Sequence, residues 1–335
     1  MFHCGIDLAS KTTALCVVDE QDRVVLEREL PSDFGQIREL LGKYPGVKCV
    51  VESAPLAEHC RGELALAGIT CTIVDARAAK GLFNTRKKTD RRDAVTLARM
   101  CRSGWYQAVH AKSAAARELR LHLGVRAAVV RTQVAVQNTV LGLLRSMGIR
   151  VTRGAGMEAR LQQVLADAPL LETLLRPLLE QRALLKRQLR DLDRGFAQQL
   201  RRHPVARRLS TVPGVGPITA LAFVATIDDP TRFRNDRQVG DYVGLAPGIY
   251  QSGDVERIGR TTRQGDVLLR TLLVEAANAI LYRCKQDWAW KDWALRLKER
   301  KGSGKARVAL ARRLAGLLWK LWRDNVPFAP RPVEA

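Results

Sequence analysis

The rhythm of apolar and polar positions changes near residue 110. Before it, short apolar runs alternate with polar, helix-forming stretches. Gly5-Ile6-Asp7-Leu8, Ala14-Leu15-Cys16-Val17-Val18 and Val24-Val25-Leu26 read as strands. A helix is predicted after Asp33, and Val47-Lys48-Cys49-Val50-Val51-Glu52 reads as a buried strand. Pro55 opens a second helix, and Ile69-Thr70-Cys71-Thr72-Ile73-Val74 reads as a further strand. Strands first, then strand–helix alternation, predict a mixed α/β sheet covered by helices.

Beyond residue 110 the period becomes helical. Leu119, Leu123, Val130, Val134, Leu141 and Leu144 recur at helical spacing, and after Pro169 the stripe resumes through Leu171, Leu174, Leu178, Leu185, Leu189, Leu192, Phe196 and Leu200. Two long helices joined by a turn near Val151–Gly156 predict an antiparallel arm. The stripe suits a core face and an exposed dimerisation surface equally. Pro204 closes this region, and a basic, mostly helical unit follows. The divisions expected are 1–108, 109–203, 204–326 and a flexible tail over 327–335, so the fold class is α/β followed by all-α.

Length and charge sharpen the picture. A chain of 335 residues favours two or three domains. Lys and Arg number 56 against 34 Asp and Glu, a net charge of +22. Residues 1–110 carry 16 basic and 14 acidic side chains, residues 111–335 carry 40 and 20. A near-neutral third followed by a strongly basic remainder is the asymmetry expected of nucleic-acid binding. Apolar residues make up 46 %, which excludes global disorder. No run approaches the roughly 18 apolar residues of a membrane span, and Met1-Phe2-His3-Cys4-Gly5 has no secretory character. Seven cysteines without a Cys-x-x-Cys pair fit neither a disulfide framework nor a zinc ribbon. They read as small buried hydrophobes in a reducing compartment. A cytoplasmic, nucleoid-associated protein without membrane partners is expected.

Candidate chemistry lies in three places. Asp7 sits in the first strand, Glu52 ends a later buried strand, and Asp90 and Asp93 are three apart on one helix face. Carboxylates at the ends of apolar strands cost desolvation energy unless paired or metal-bound, and hard divalent cations need such oxygen ligands. Arg86, Lys87, Lys88, Arg91 and Arg92 form a basic rim suited to a phosphate backbone. Taken singly, Asp90 also fits the cap of a helix over Asp93–Arg102. The second place, Thr211-Val212-Pro213-Gly214-Val215-Gly216-Pro217, resembles the hairpin of a helix-hairpin-helix motif. There Gly214 and Gly216 would let the chain approach a phosphate beside free helix N–H groups. The third is Gly244-Leu245-Ala246-Pro247 followed by Ser252-Gly253, then Arg257, Arg260 and Arg263. A serine on an irregular loop ringed by arginines suits attack on a phosphodiester, although such serines are common. The spacing of Trp288, Trp290, Trp293, Trp319 and Trp322 favours helix packing over base stacking.

Taken in order, Gly-Ile-Asp-Leu, Val-Val-Glu-Ser, Lys-Thr-Asp-Arg-Arg-Asp-Ala, Pro-Gly-Val-Gly-Pro-Ile-Thr-Ala and Gly-Leu-Ala-Pro with its downstream Ser-Gly resemble transposases of insertion-sequence family one hundred and ten, the bridge-RNA-guided recombinases. The resemblance runs from Gly5 to about Leu318. It implies an RNase-H-like, RuvC-type domain, a coiled-coil arm and a C-terminal transposase domain. It carries an acidic tetrad onto Asp7, Glu52, Asp90 and Asp93 as ligands of Mg²⁺ (or Mn²⁺), and a serine nucleophile onto Ser252, with Ser210, Ser303 and Thr261 as alternatives. It implies double-stranded donor and target DNA, a non-coding guide RNA that chooses the sequence while the protein grips backbones, and a homo-oligomer, dimer or tetramer. Two other readings compete. A RuvC-like structure-selective endonuclease would use the tetrad with water and form no protein–DNA bond. Gly5-Ile6-Asp7-Leu8-Ala9-Ser10 also resembles the first phosphate loop of sugar kinases and actin-like ATPases, but the chain offers none of their further glycine-rich loops.

Overall fold

The structure, a computed structural model, describes residues 1–75, 90–252, 255–285 and 288–329. The chain divides into two compact units, Met1–Lys112 and Ser113–Ala335.

In the first unit β1 (His3–Leu8), β2 (Thr12–Val18) and β3 (Val24–Pro31) form an antiparallel meander. Strands β4 (Lys48–Glu52) and β5 (Thr70–Val74) extend it in parallel from β1, giving the order β3-β2-β1-β4-β5. Parallel neighbours need crossovers, and α1 (Phe34–Leu41) and α2 (Ala57–Ala65) supply them. The Asp33 carboxylate caps α1 by accepting the N–H groups of Gly35 and Gln36 at 2.9 and 3.2 Å.

One face of the sheet packs Cys4, Ile6, Leu15, Val17, Cys49 and Val51 against Ile37, Leu41, Cys60 and Leu64 of the two crossovers. The other face receives α3 (Asp90–Ser103): Ala94 and Ala98 meet Ala14, Cys16 and Val18, while Leu97, Met100 and Cys101 meet Val50 and Val74. Burial on both faces is why β1, β2 and β4 read as near-continuous apolar runs, whereas the edge strand β3 is largely exposed. The six cysteines of this unit are buried. Contact with Cys49, then burial, holds the Cys4 thiol well above its ordinary range, and burial pushes Cys101 up to about 12. All six belong to the apolar clusters on the two faces of the sheet and serve as packing groups.

In the second unit α4 (Ala114–Ser146) and α6 (Pro169–Arg202) lie antiparallel. Arg126 pairs with Asp193 at 2.6 Å, and His122 bonds Gln199 at 3.1 Å. Where a simple turn is expected, the chain builds an additional helix, α5 (Met157–Asp167). Its sequence is rich in good helix formers, and Leu161 and Val164 are buried against Val140, Leu144, Leu171 and Leu175. Helix α5 is tied to α6 by Glu158, which accepts from the buried Arg182 at 2.7 Å and from Lys186 at 2.8 Å.

The remainder is a helical core. Helices α7 (Pro204–Leu209) and α8 (Pro217–Ile227) flank the Pro-Gly turn, followed by α9 (Asp236–Tyr242), α10 (Val267–Arg283), α11 (Ala289–Lys301) and α12 (Ser303–Arg323). Thr219 through Ile227 of α8 are all buried, as a helix that is apolar all round should be. Its core partners include Leu209, Leu273, Ile280, Leu314 and Trp319. Trp288 and Trp319 are buried, and the Trp319 indole N–H donates to the Pro230 carbonyl at 2.8 Å. The tail expected over 327–335 has Phe328 edge-on to Trp288, ring centroids 5.3 Å apart. Among the described residues no helix is long and apolar enough to cross a membrane.

Candidate active site

The carboxylates of the first unit are gathered by topology. Ile6 pairs with Val51, so Asp7 and Glu52 follow at the carboxyl ends of neighbouring parallel strands. Alternation puts Asp7 on the same side of β1 as Gly5, and Glu52 on the same side of β4 as Val50. That side is covered by α3. Helix α3 runs antiparallel to β1. Its final turns meet the amino ends of the strands, where Arg99 and Arg102 each pair with Asp22 at 3.2 Å and the Cys101 thiol donates to the Lys48 carbonyl. Its first turn, carrying Asp90 and Asp93, is therefore directed to the carboxyl ends, where Asp7 and Glu52 stand. Asp90 is the first helical residue rather than a cap before the helix, and its side chain lies outside the described residues. Asp7, Glu52 and Asp93 are all half-buried.

Sequence reasoning missed what makes this approach feasible. A Cβ on Gly5 would lie 2.1 Å from the Ala94 carbonyl oxygen and 2.3 Å from the Ala98 nitrogen. Only glycine lets α3 rest directly on β1, and the signal is there in the sequence: a lone glycine inside a strand marks close backbone approach. The donors suit a hard divalent cation, being carboxylate oxygens at the edge of a dry sheet. Among the described residues no three His, Cys, Asp or Glu side chains converge as a ligand cluster.

The second candidate lies in the other unit. The segment expected as an irregular loop is a hairpin, β6 (Pro247–Ser252) paired with β7 (Val255–Thr261). Ile249, Tyr250, Val255 and Ile258 supply the β propensity that outweighs the glycines. Ser252 is the last residue of β6, opposite Val255, and Arg257 lies opposite Tyr250; these side chains lie outside the described residues. Arg260 and Arg263 are exposed, Arg263 with a left-handed φ of 54°. The base of the hairpin is held tightly. A Cβ on Gly244 or Gly265 would strike the Gln264 or Tyr242 carbonyl oxygen at 1.8 or 2.0 Å. The Arg270 guanidinium donates to the carbonyls of Val243 at 3.2 Å and Gln264 at 3.1 Å. Sequence alone does not single out Arg270, because nothing local marks a helix arginine that serves a loop. Of the alternative serines, Ser210 donates to the Arg207 carbonyl and Ser303 bonds the Tyr282 hydroxyl.

The remaining candidates are distributed. Arg86, Lys87 and Lys88 lie outside the described residues. Arg91 and Arg92 are exposed on the first turn of α3, Arg91 4.0 Å from Glu27. Gly214 has φ of 78°, and a Cβ there would lie 2.6 Å from the Ala276 carbonyl oxygen, so the turn also packs closely against α10. Gly216 does have open space around it and caps α8, whose first N–H groups receive no side chain.

Comparison with known proteins finds relatives of both units. A DEDD transposase domain matches residues 4–149, and the description "Transposase IS116/IS110/IS902 family" matches residues 206–293. The chain is 30 % identical to a probable family 20 transposase of Pseudomonas aeruginosa over 97 % of its length and 98 % of the relative's. It is 28 % identical to the transposase for insertion sequence element IS1111A of Coxiella burnetii, covering 95 % and 88 % of the two chains. Proteins of this class catalyse DNA strand cleavage and rejoining. The chain belongs to the IS116/IS110/IS902 family of transposases.

Proposed function

We propose that the protein recombines insertion-sequence DNA through an RNase-H-like acidic site and a serine nucleophile. What supports this reading is the strand register that sets Asp7 and Glu52 at the carboxyl ends of neighbouring parallel strands in a β3-β2-β1-β4-β5 sheet, the end towards which the first turn of α3 is directed. Asp7, Glu52, Asp90 and Asp93 would hold Mg²⁺ or Mn²⁺. When bound, the cation supplies positive charge to the phosphate oxygens as negative charge develops there. Asp7, Glu52 and Asp93, each half-buried, would help to orient it.

Ser252 attacks the scissile phosphorus through its hydroxyl oxygen. A serine–phosphate ester forms, the bond from phosphorus to a deoxyribose oxygen breaks, and the serine proton passes to that leaving oxygen. One phosphodiester becomes another, so rejoining needs no external energy source. The hairpin base, locked by Gly244, Gly265 and Arg270, keeps Ser252 in register. A guide RNA would choose donor and target sequences while the basic second unit grips both backbones. A homo-oligomer is supported by the apolar side chains left exposed on the long helices, among them Leu121, Leu143, Leu170 and Leu174.

The test of the acidic site is strand cleavage by Asp7→Asn and Asp93→Asn proteins, with guide RNA and Mg²⁺. Both should lose cleavage while binding DNA normally. Metal-dependent cleavage retained in both would refute the assignment.

A further inference from the structure

The second unit contains a cavity that neither candidate site uses. It has a volume of about 680 Å³ and opens between the start of α9, the start of α11 and the outer face of α12. Its floor is aromatic and aliphatic: Trp288, Trp290, Leu317 and Phe328. The indoles of Trp288 and Trp290 are stacked in parallel, with centroids 5.4 Å apart and planes inclined by 14°. Its rim is cationic, formed by Arg237 from α9 and by Arg312, Arg313 and Lys320 from α12, against the single carboxylate of Asp236.

The cations are not equivalent. Lys320 is committed to Asp236 at 2.7 Å and Arg312 to Asp241 at 3.3 Å. Arg237 and Arg313 are exposed, and among the described residues no carboxylate pairs with either. The Arg313 guanidinium instead lies over Trp293 at 4.1 Å and Trp290 at 5.4 Å. A cation held over indole keeps its charge in place beside the floor without a counter-ion. The site thus offers an aromatic lining, room for one ring system and positive charge at the mouth that no carboxylate among the described residues neutralises.

We propose that this cavity takes a single unpaired nucleotide of a nucleic-acid strand, with its base on the indole floor and its phosphate on Arg237 and Arg313. Aromatic floor and cationic rim are the two components by which proteins hold single strands, one stacking on the base, the other neutralising the backbone. A paired base is stacked between its neighbours and cannot enter, so the cavity discriminates bulged, frayed or displaced nucleotides from duplex. The volume falls within the range usual for small-ligand pockets. This goes beyond strand cutting, because it gives the second unit a preference for where a duplex is open.

The test uses the full chain and a short duplex carrying one bulged 2-aminopurine, made in DNA and in RNA, each beside its fully paired counterpart. The bulged probe should bind about tenfold more tightly than the paired one, the scale expected of one base stacked on an aromatic side chain. Its emission should be quenched on binding. An Arg237→Gln/Arg313→Gln double variant, its fold checked by thermal melt, should bind both probes alike. Trp290→Leu should abolish the quenching. Preference for only the DNA or only the RNA bulge supports the site and identifies the strand it holds. Equal binding of bulged and paired probes by the wild type, or a bulge preference undiminished in the arginine variant, overturns it.

Discussion

At the scale of single residues, the account depends on atoms that are missing as much as on those present. Gly5 has no Cβ where Ala94 and Ala98 need the space, and that contact sets α3 on the sheet with Asp93 at the carboxyl edge. Gly5→Ala should destabilise the first unit by about 2 kcal/mol or more, as over-packing against backbone does, and should lower its melt more than Asp93→Asn does. Thermal melts of the two variants side by side check this. The acidic residues themselves are legible in the sequence, because a charged group terminating an apolar strand is conspicuous. Gly5, standing between Cys4 and Ile6, reads there only as part of the strand, since its role depends on a helix nearly ninety residues away. Gly214 likewise has a packing constraint that its place in a Pro-Gly-Val-Gly turn does not announce, since a Cβ there would lie 2.6 Å from the Ala276 carbonyl oxygen.

At the scale of elements, pattern and structure agree where burial follows one period. The strands of the first unit and the paired long helices are readable because their apolar faces are continuous. Helix α5 is hidden, since Leu161 and Val164 form too short a stripe to announce a helix until Val140, Leu144 and Leu171 supply the other half of its core. The β6–β7 hairpin is hidden by its glycines, and its anchor by sequence distance. Arg270→Met should therefore loosen the hairpin, lowering strand joining at least about tenfold if one charge-assisted contact is worth about 1.5–3 kcal/mol, with little change in DNA affinity. Helix α5 has its own pH signature. The Arg182 and Lys186 side chains lower the Glu158 carboxyl from 4.5 to about 2. Its folded pKa lies below its unfolded value, so the stabilisation is complete above about pH 4.5 and lost as pH falls towards about 2. Glu158 is half-exposed, so solvent screening keeps the effect modest. Glu158→Gln should melt lower than wild type at pH 7, and the two melts should converge near pH 2.

At the scale of the whole molecule, charge is divided as the work would be. The +22 of the chain resides almost wholly beyond residue 110, while the near-neutral α/β unit carries the carboxylates. Binding of DNA and guide RNA through many phosphate contacts should weaken by at least about a thousandfold between ~50 and ~200 mM salt. A flat profile in a filter-binding titration would contradict backbone gripping by the basic unit.

The central claim is that strands are exchanged through a serine ester. The most direct measurement combines the protein, Mg²⁺, guide RNA and end-labelled junction DNA on a denaturing gel, before and after protease, for wild type and Ser252→Ala. The account predicts a slow-migrating labelled species in the wild type alone that collapses on protease treatment. Clean nicks of equal intensity from both proteins, with no protein-linked band, would contradict it and leave a hydrolytic nuclease in which Ser252 is only the end of a strand.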